Sequence, residues 1–244
     1  MSNDTRPLIL PPSTPCDFLT RVLDTLSHPT TVLICASRSD FLHAAVSELH
    51  DTQAPSSPSS SSSSSTTTTS SPPDVLRATL ARLATSRHIR VAFAPSVVHL
   101  RAYLSVFPAT KPVPAPPLVQ QQQQQQKEKK TPALLLVYGF LDVHRDGSEW
   151  SAQGIGCTAA CVVEAARRGG LLAAVMEPKG WGEDDDGGGG GGGEQQDGET
   201  RWAAYEEQIP LLSTTASVRE DGTWGVPCTS ARTVFQRWFT FDDS

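Results

Sequence analysis

Asp142, His144, Arg145, Asp146 and Glu149 crowd a short stretch that follows the apolar run "ALLLVYGF" at residues 133–140. Acids flanking a histidine supply the groups for acid–base work or metal ligation. The end of a strand is where open α/β sheets place their sites. No second cluster of ligands completes a metal site, so a solvated loop with helix-capping acids fits the same residues. Ser148 and Ser151 lie near His144, but neither stands in the glycine-flanked elbow that exposes a hydrolase nucleophile. Glu177, followed by Pro178, ends another apolar run and would face the same crevice as a lone carboxylate.

A second place of interest is Ala36, Ser37, Arg38, Ser39 and Asp40, directly after the apolar residues 31–35. A loop that cradles nucleotide phosphates needs glycines for close backbone approach, a lysine for charge and a Ser or Thr for magnesium. Here glycine and lysine are missing, and Asp40 would repel any phosphate that Arg38 attracted. Gly154 and Gly156 resemble the start of a dinucleotide fingerprint. They sit inside a helical pattern with no third glycine to follow, and close helix packing accounts for them better.

Arg77, Arg82, Arg87, Arg90 and Arg101, with His88 and His99, fall in a stretch free of acids, residues 75–127. One reading is a basic face for DNA or an acidic partner. No aromatic residues interleave with these charges, which favours ordinary exposed helix faces.

These residues need elements to position them. Residues 31–35, 89–95, 133–140 and 171–178 are continuous apolar runs, as strands buried on both faces should be. Between them lie helical patterns. One is capped by Ser39 with Leu42, Ala45, Val46 and Leu49 facing inward, and a second begins near Asp74 with Leu76, Leu80 and Leu83. A third is capped by Ser96 with Val97, Leu100, Leu104 and Phe107. The fourth runs over residues 149–168 with Ile155, Ala159, Val162, Val163 and Ala166, ended by Gly169-Gly170. "QIPLLSTTASVRE" and "TVFQRWFTF", with "DGTWG" between them, read as a terminal antiparallel hairpin extending one edge of the sheet. Trp202, Trp224, Trp238 and Phe239 are expected to pack in this C-terminal part, and an exposed pair would signal an interface. The order predicts an α/β fold with a mainly parallel sheet and helices on both faces.

Three tracts stand apart: Ser/Thr/Pro at 52–73, Pro/Gln at 108–131, and an acidic and polyglycine run at 180–200. Their composition offers too little apolar surface to offset the entropy of ordering. They are expected as disordered insertions in the surface loops of one domain, residues 1–244. The acidic tract also explains the net charge of −6, because seven of the 26 acids lie in it and the 19 left face 20 basic residues. A near-neutral folded part argues against a strongly basic nucleic-acid binder. Cys16, Cys35, Cys157, Cys161 and Cys228 form no CxxC pair, which suggests a reduced intracellular protein with buried thiols. No apolar run could span a bilayer, and no signal-peptide pattern opens the chain, so the expected location is nucleus or cytosol.

A strand–helix opening, an apolar central strand, a long helix, a further strand and a terminal hairpin resemble the RecA-like core. "LLLVYGFLDVHRDGSEWSAQGIGCTAACVVEAARR" is similar to that family's central strand, polar loop and following helix, and "RTVFQRWFTF" to its closing strand. The resemblance implies a phosphate loop, which would fall at Ser37, Arg38 and Ser39, and a magnesium-organising Asp at the end of the central strand. Tyr138-Gly139 stands there, and Asp142 is displaced by several residues. It therefore implies a non-catalytic subunit with no cofactor and no metal, assembling with other RecA-like subunits. The relatives it points to are recombinase paralogues of the Shu-complex kind, serving DNA repair in the nucleus, or the Elongator accessory subcomplex in tRNA modification. A small α/β enzyme using residues 142–149 is the reading from another class.

Overall fold

The chain enters its sheet earlier than the apolar runs suggest. The structure, a computed structural model, describes residues 6–26, 28–53, 77–108, 133–145, 147–179, 200–212, 217–218 and 224–242. Its first strand, β1 (Leu8–Ser13), leads into α1 (Pro15–Asp24), capped by Thr14, whose side chain accepts from the Asp17 N–H. Then come β2 (Thr30–Ile34), α2 (Arg38–Gln53), α3 (Leu80–Ser86), β3 (Ile89–Phe93), α4 (Val97–Val106) and β4 (Leu134–Tyr138). The short α5 (Asp142–Arg145) and long α6 (Ala152–Gly169) precede β5 (Leu172–Pro178). A 3-10 turn at Thr200–Trp202 runs into α7 (Ala203–Glu206). The chain closes with β6 (Gln208–Pro210), β7 (Ser217–Val218), β8 (Trp224–Gly225), β9 (Cys228–Ser230), α8 (Ala231–Phe235) and β10 (Thr240–Phe241).

Six strands form one sheet in the order β10-β1-β5-β4-β2-β3, every pair parallel. Each residue of β2 and β4 is buried, as the unbroken apolar runs require of central strands. The sheet separates two cores. On one face Phe18 and Val22 of α1 and Phe41 of α2 pack on Leu10, Val32, Ile34, Leu136, Tyr138 and Met176. On the other, α4, α6, α7 and α8 pack on Ile9, Leu33, Leu135, Val137 and Val175. The α/β architecture with a parallel sheet and helices on both faces is as the sequence leads one to expect.

Several local expectations are corrected. Ser37, not Ser39, caps α2, its hydroxyl accepting from the Asp40 N–H at 3.1 Å. The inward face of that helix is Phe41 and Ala45, leaving Leu42 and Val46 about half exposed, because Phe41 turns in to meet Phe18 and Tyr138. In α3, which starts only at Leu80, that leucine and Leu83 are exposed rather than core. "TVFQRWFTF" is not one strand: its first three residues end α8, which Ser230 caps and whose Ala231, Val234 and Phe235 are buried at helical spacing, and a turn follows. Only Thr240 and Phe241 join the sheet, parallel to β1. The antiparallel pairing is present as β6 with β9 and the hairpin β7–β8, but both ladders stand apart from the main sheet. The tracts 52–73, 108–131 and 180–200 fall almost wholly outside the described residues.

Candidate functional site

Neighbouring parallel strands that send their chains in opposite directions open a crevice at their carboxyl ends. Such places lie between β1 and β5 and between β2 and β4.

The β1–β5 crevice lies under the N-terminus of α1, where unpaired backbone N–H groups and the helix dipole would receive an anion. The chain supplies that anion itself. The Cys16 N–H donates to Glu48 Oε2 at 2.9 Å, with Glu48 reaching over from α2. The Cys16 thiol donates to the Ala45 carbonyl, and burial, with Glu48 beside it, pushes that thiol up to about 12. Below, the Tyr138 hydroxyl runs from β4 beneath β5 and donates to the Ser13 carbonyl at 2.9 Å. The Tyr138 ring stacks on Phe18 with centroids 4.2 Å apart and meets Phe41 edge-on. Ser13 Oγ donates to Met176 Sδ. An open groove of about 450 Å³ remains outside this plug, bordered by Thr14, Ser47, Glu48, Asp51 and Lys179.

The β2–β4 crevice is closed by a backbone turn and a buried carboxyl. Gly139 takes a positive φ of 77°, which lets β4 turn sharply into α5 while its N–H donates to the Met176 carbonyl. The turn aims the Leu141 N–H at both oxygens of Glu177, at 3.0 and 3.2 Å. Glu177 is 1% exposed. Burial, reinforced by the like charge of Asp142, holds its carboxyl well above the ordinary value, which favours the protonated form. Asp142 pairs with Arg145, which reaches on to Glu207 at 2.6 Å. Cys35 and Tyr205 close the site, both pushed well up by burial and then by Glu177. The Tyr205 hydroxyl is buried without a hydrogen-bond partner among the described residues. At the mouth, Ser37 and Ser39 bond each other at 2.8 Å while Arg38 is exposed.

Within the stretch 142–149, His144 is held in the interior rather than offered to solvent. His144 is fully buried, its Nδ1 donating to the Phe140 carbonyl at 2.7 Å and its Nε2 accepting from Thr158 Oγ1 at 2.9 Å. Burial lowers its pKa to about 4, so the ring is neutral. Arg101 completes the network, donating to Thr158 Oγ1, Glu149 Oε2 and the Gly154 carbonyl. Ser151 caps α6, and Ser148 is exposed; neither bonds to His144. Asp146 lies outside the described residues.

The five arginines do not share one surface. Arg82, in α3 beside α1, makes a two-pronged pair with Asp24. Arg101, in α4, lies across the sheet in the Glu149 network. Arg90 is half-buried on β3, and Arg77 and Arg87 are exposed. Cys16 and Cys35 are buried thiols as expected, whereas Cys157 and Cys228 are exposed.

The pairing of Glu48 with Cys16 and of Tyr138 with Ser13 is what sequence reading missed. Both join residues far apart in the chain, and the prolines of β1 concealed that a strand was there. Among the described residues no group of three or more His, Cys, Asp or Glu could hold a metal, and no helix is long and apolar enough to cross a membrane. No protein-family model matches the chain, and no curated protein matches its sequence.

Proposed function

We propose that the protein is a non-catalytic RecA-like subunit that assembles with related subunits and supports homologous recombination and DNA repair in the nucleus. The observation that carries this reading is the Glu48 carboxylate on the Cys16 N–H. A helix N-terminus that already holds a carboxylate repels a phosphate by charge and denies it a donor. The opening strand–helix unit is β1–α1, and its junction Ser13, Thr14, Pro15 and Cys16, like Ser37, Arg38 and Ser39 after β2, carries neither glycine nor lysine.

An assembly role draws support from the sheet edge. The His88 carbonyl and the Ala94 N–H both bond to β2, so ladder alternation turns the backbone groups of Ile89, Val91 and Phe93 outward. No strand among the described residues pairs with that side of β3. Val91 is about half exposed there, with Leu80 and Leu83 also exposed on nearby α3. An uncovered apolar edge is a template for another chain. Direct contact with DNA would use Arg77, Arg87 and Arg90, which flank this edge.

Affinity purification of the tagged full-length chain from nuclear extract, read by mass spectrometry, tests the proposal. RecA-like recombination subunits are the expected partners. Recovery of Elongator accessory subunits instead would replace this reading with tRNA modification, and saturable nucleotide hydrolysis would replace it with the enzyme reading.

A further inference from the structure

A groove of about 460 Å³ lies between the first half of α6 and the C-terminal segment. Its floor is the row Ala152, Gly156 and Ala160, spaced four apart on α6, with the exposed Cys157 thiol beside them. One wall is Leu211 and Thr229 from the β6–β9 ladder, and the other is Arg237 and Trp238 just past α8. Small side chains leave room on the floor: a methyl built at Gly156 meets only Val234 Cγ1, at 3.8 Å. At one end Gln153 bonds both backbone groups of Leu212, which fixes that wall.

Charge decides what the groove would accept. Arg237 is the single charged residue in the lining, it is exposed, and it has no ion-pair partner among the described residues. Among the described residues no acid lines the groove. Trp238 is 38% exposed at the rim, and Leu212 and Val226 are exposed at 65% and 56%. Tryptophan and arginine at the edge of an apolar depression are the residue types that dominate binding energy at protein interfaces. We propose that this groove docks a peptide segment of a partner protein that carries a bulky apolar side chain next to acidic residues. The apolar side chain lies on the small-residue row against Trp238, and a carboxylate pairs with Arg237. The site shares no lining residue with the groove beside α1 and does not depend on whether the protein is RecA-like.

The test uses the full chain and two short labelled peptides. One places a leucine and a tryptophan among glutamates, and its twin has lysines for the glutamates. Fluorescence anisotropy gives affinity, and the alkylation rate of Cys157, located by peptide mapping, reports occupancy of the floor. The expected result is binding of the acidic peptide alone, slower Cys157 alkylation, and affinity lowered about tenfold or more by Arg237→Glu. Arg237→Gln, which removes charge without reversing it, gives a smaller loss and serves if the reversed variant folds poorly. Failure of the acidic peptide to bind at millimolar concentration, equal binding of both peptides, or unchanged affinity in both variants overturns the proposal. So does protection of Cys157 before any peptide is added, which would assign the groove to a segment of the same chain.

Discussion

At the residue scale, two buried ionisable groups set opposite pH dependences. Glu177 keeps its proton in the fold and loses it on unfolding above the ordinary carboxylate value of 4.5. The native state then binds more protons than the unfolded chain, and stability falls as pH rises through that window. Glu177→Gln imitates the neutral acid and still accepts from the Leu141 N–H. Its melting temperature should exceed that of the unmodified chain at pH 7 to 8, with the advantage fading toward pH 4. His144 works the other way. Its pKa falls from 6.5 to about 4, so the unfolded chain takes the proton first and stability is lost as pH drops across that interval. The shift corresponds to roughly 3 kcal/mol, and NMR titration should find this ring still neutral at pH 5.5. Thr158→Val removes the hydroxyl between His144 and Arg101 at nearly constant volume. Two buried polar groups lose a partner, and chemical denaturation should show a loss of about 1–3 kcal/mol. A polar loop was legible around His144. That its hydrogen bonds point inward was not, because Arg101 and Thr158 come from helices distant in the chain.

At the scale of elements, β2, β4, β5 and the α4 and α6 faces were legible, since burial on both sides of a sheet and helical spacing leave plain patterns, whereas β3, expected to be buried on both faces, is a partly exposed edge strand. Gly170, with φ of 65°, ends α6 as a terminal glycine does. Strand β1 was hidden by Pro11 and Pro12, which argue against a strand inside a sheet. It tolerates them because its register against β5 shifts between Leu10 and Ser13. Helix α8 was hidden by an accidental alternation of apolar and polar residues, which the Ser230 cap and the burial of Ala231, Val234 and Phe235 override. The two glycines that resembled a fingerprint now separate. A methyl at Gly154 would collide with the Glu149 carbonyl oxygen, whereas at Gly156 it meets ordinary contact. Gly154→Ala should therefore lower the melting point sharply. Gly156→Ala should leave it unchanged or raise stability by about 0.5–1 kcal/mol, through better helix propensity. A calorimetric comparison of the two variants separates packing from ligand binding as their role, since a fingerprint glycine would matter at both positions.

At the scale of the whole molecule, a parallel sheet with two crevices at its carboxyl edge has both of them filled from within. That α/β architecture could be anticipated from the order of apolar runs, but the filling could not. Glu48 and Cys16 are 32 residues apart, and Tyr138 and Ser13 are 125 apart. Among the described residues no strand covers the outer side of β3. Val91→Lys places a charge on that edge at a half-exposed position, so stability should fall by no more than about 1 kcal/mol. Recovery of partner subunits in affinity purification should nonetheless fall severalfold, and full recovery would move the assembly surface elsewhere. The most direct measurement of the central claim is a calorimetric titration of the full chain with ATP and magnesium, paired with its melting temperature. With the α1 N-terminus held by Glu48 and its crevice plugged by Tyr138, the account predicts no binding heat and no change in melting at millimolar nucleotide. A saturable heat accompanied by stabilisation, worth about 2.7 kcal/mol at a hundredfold excess over Kd, would contradict it.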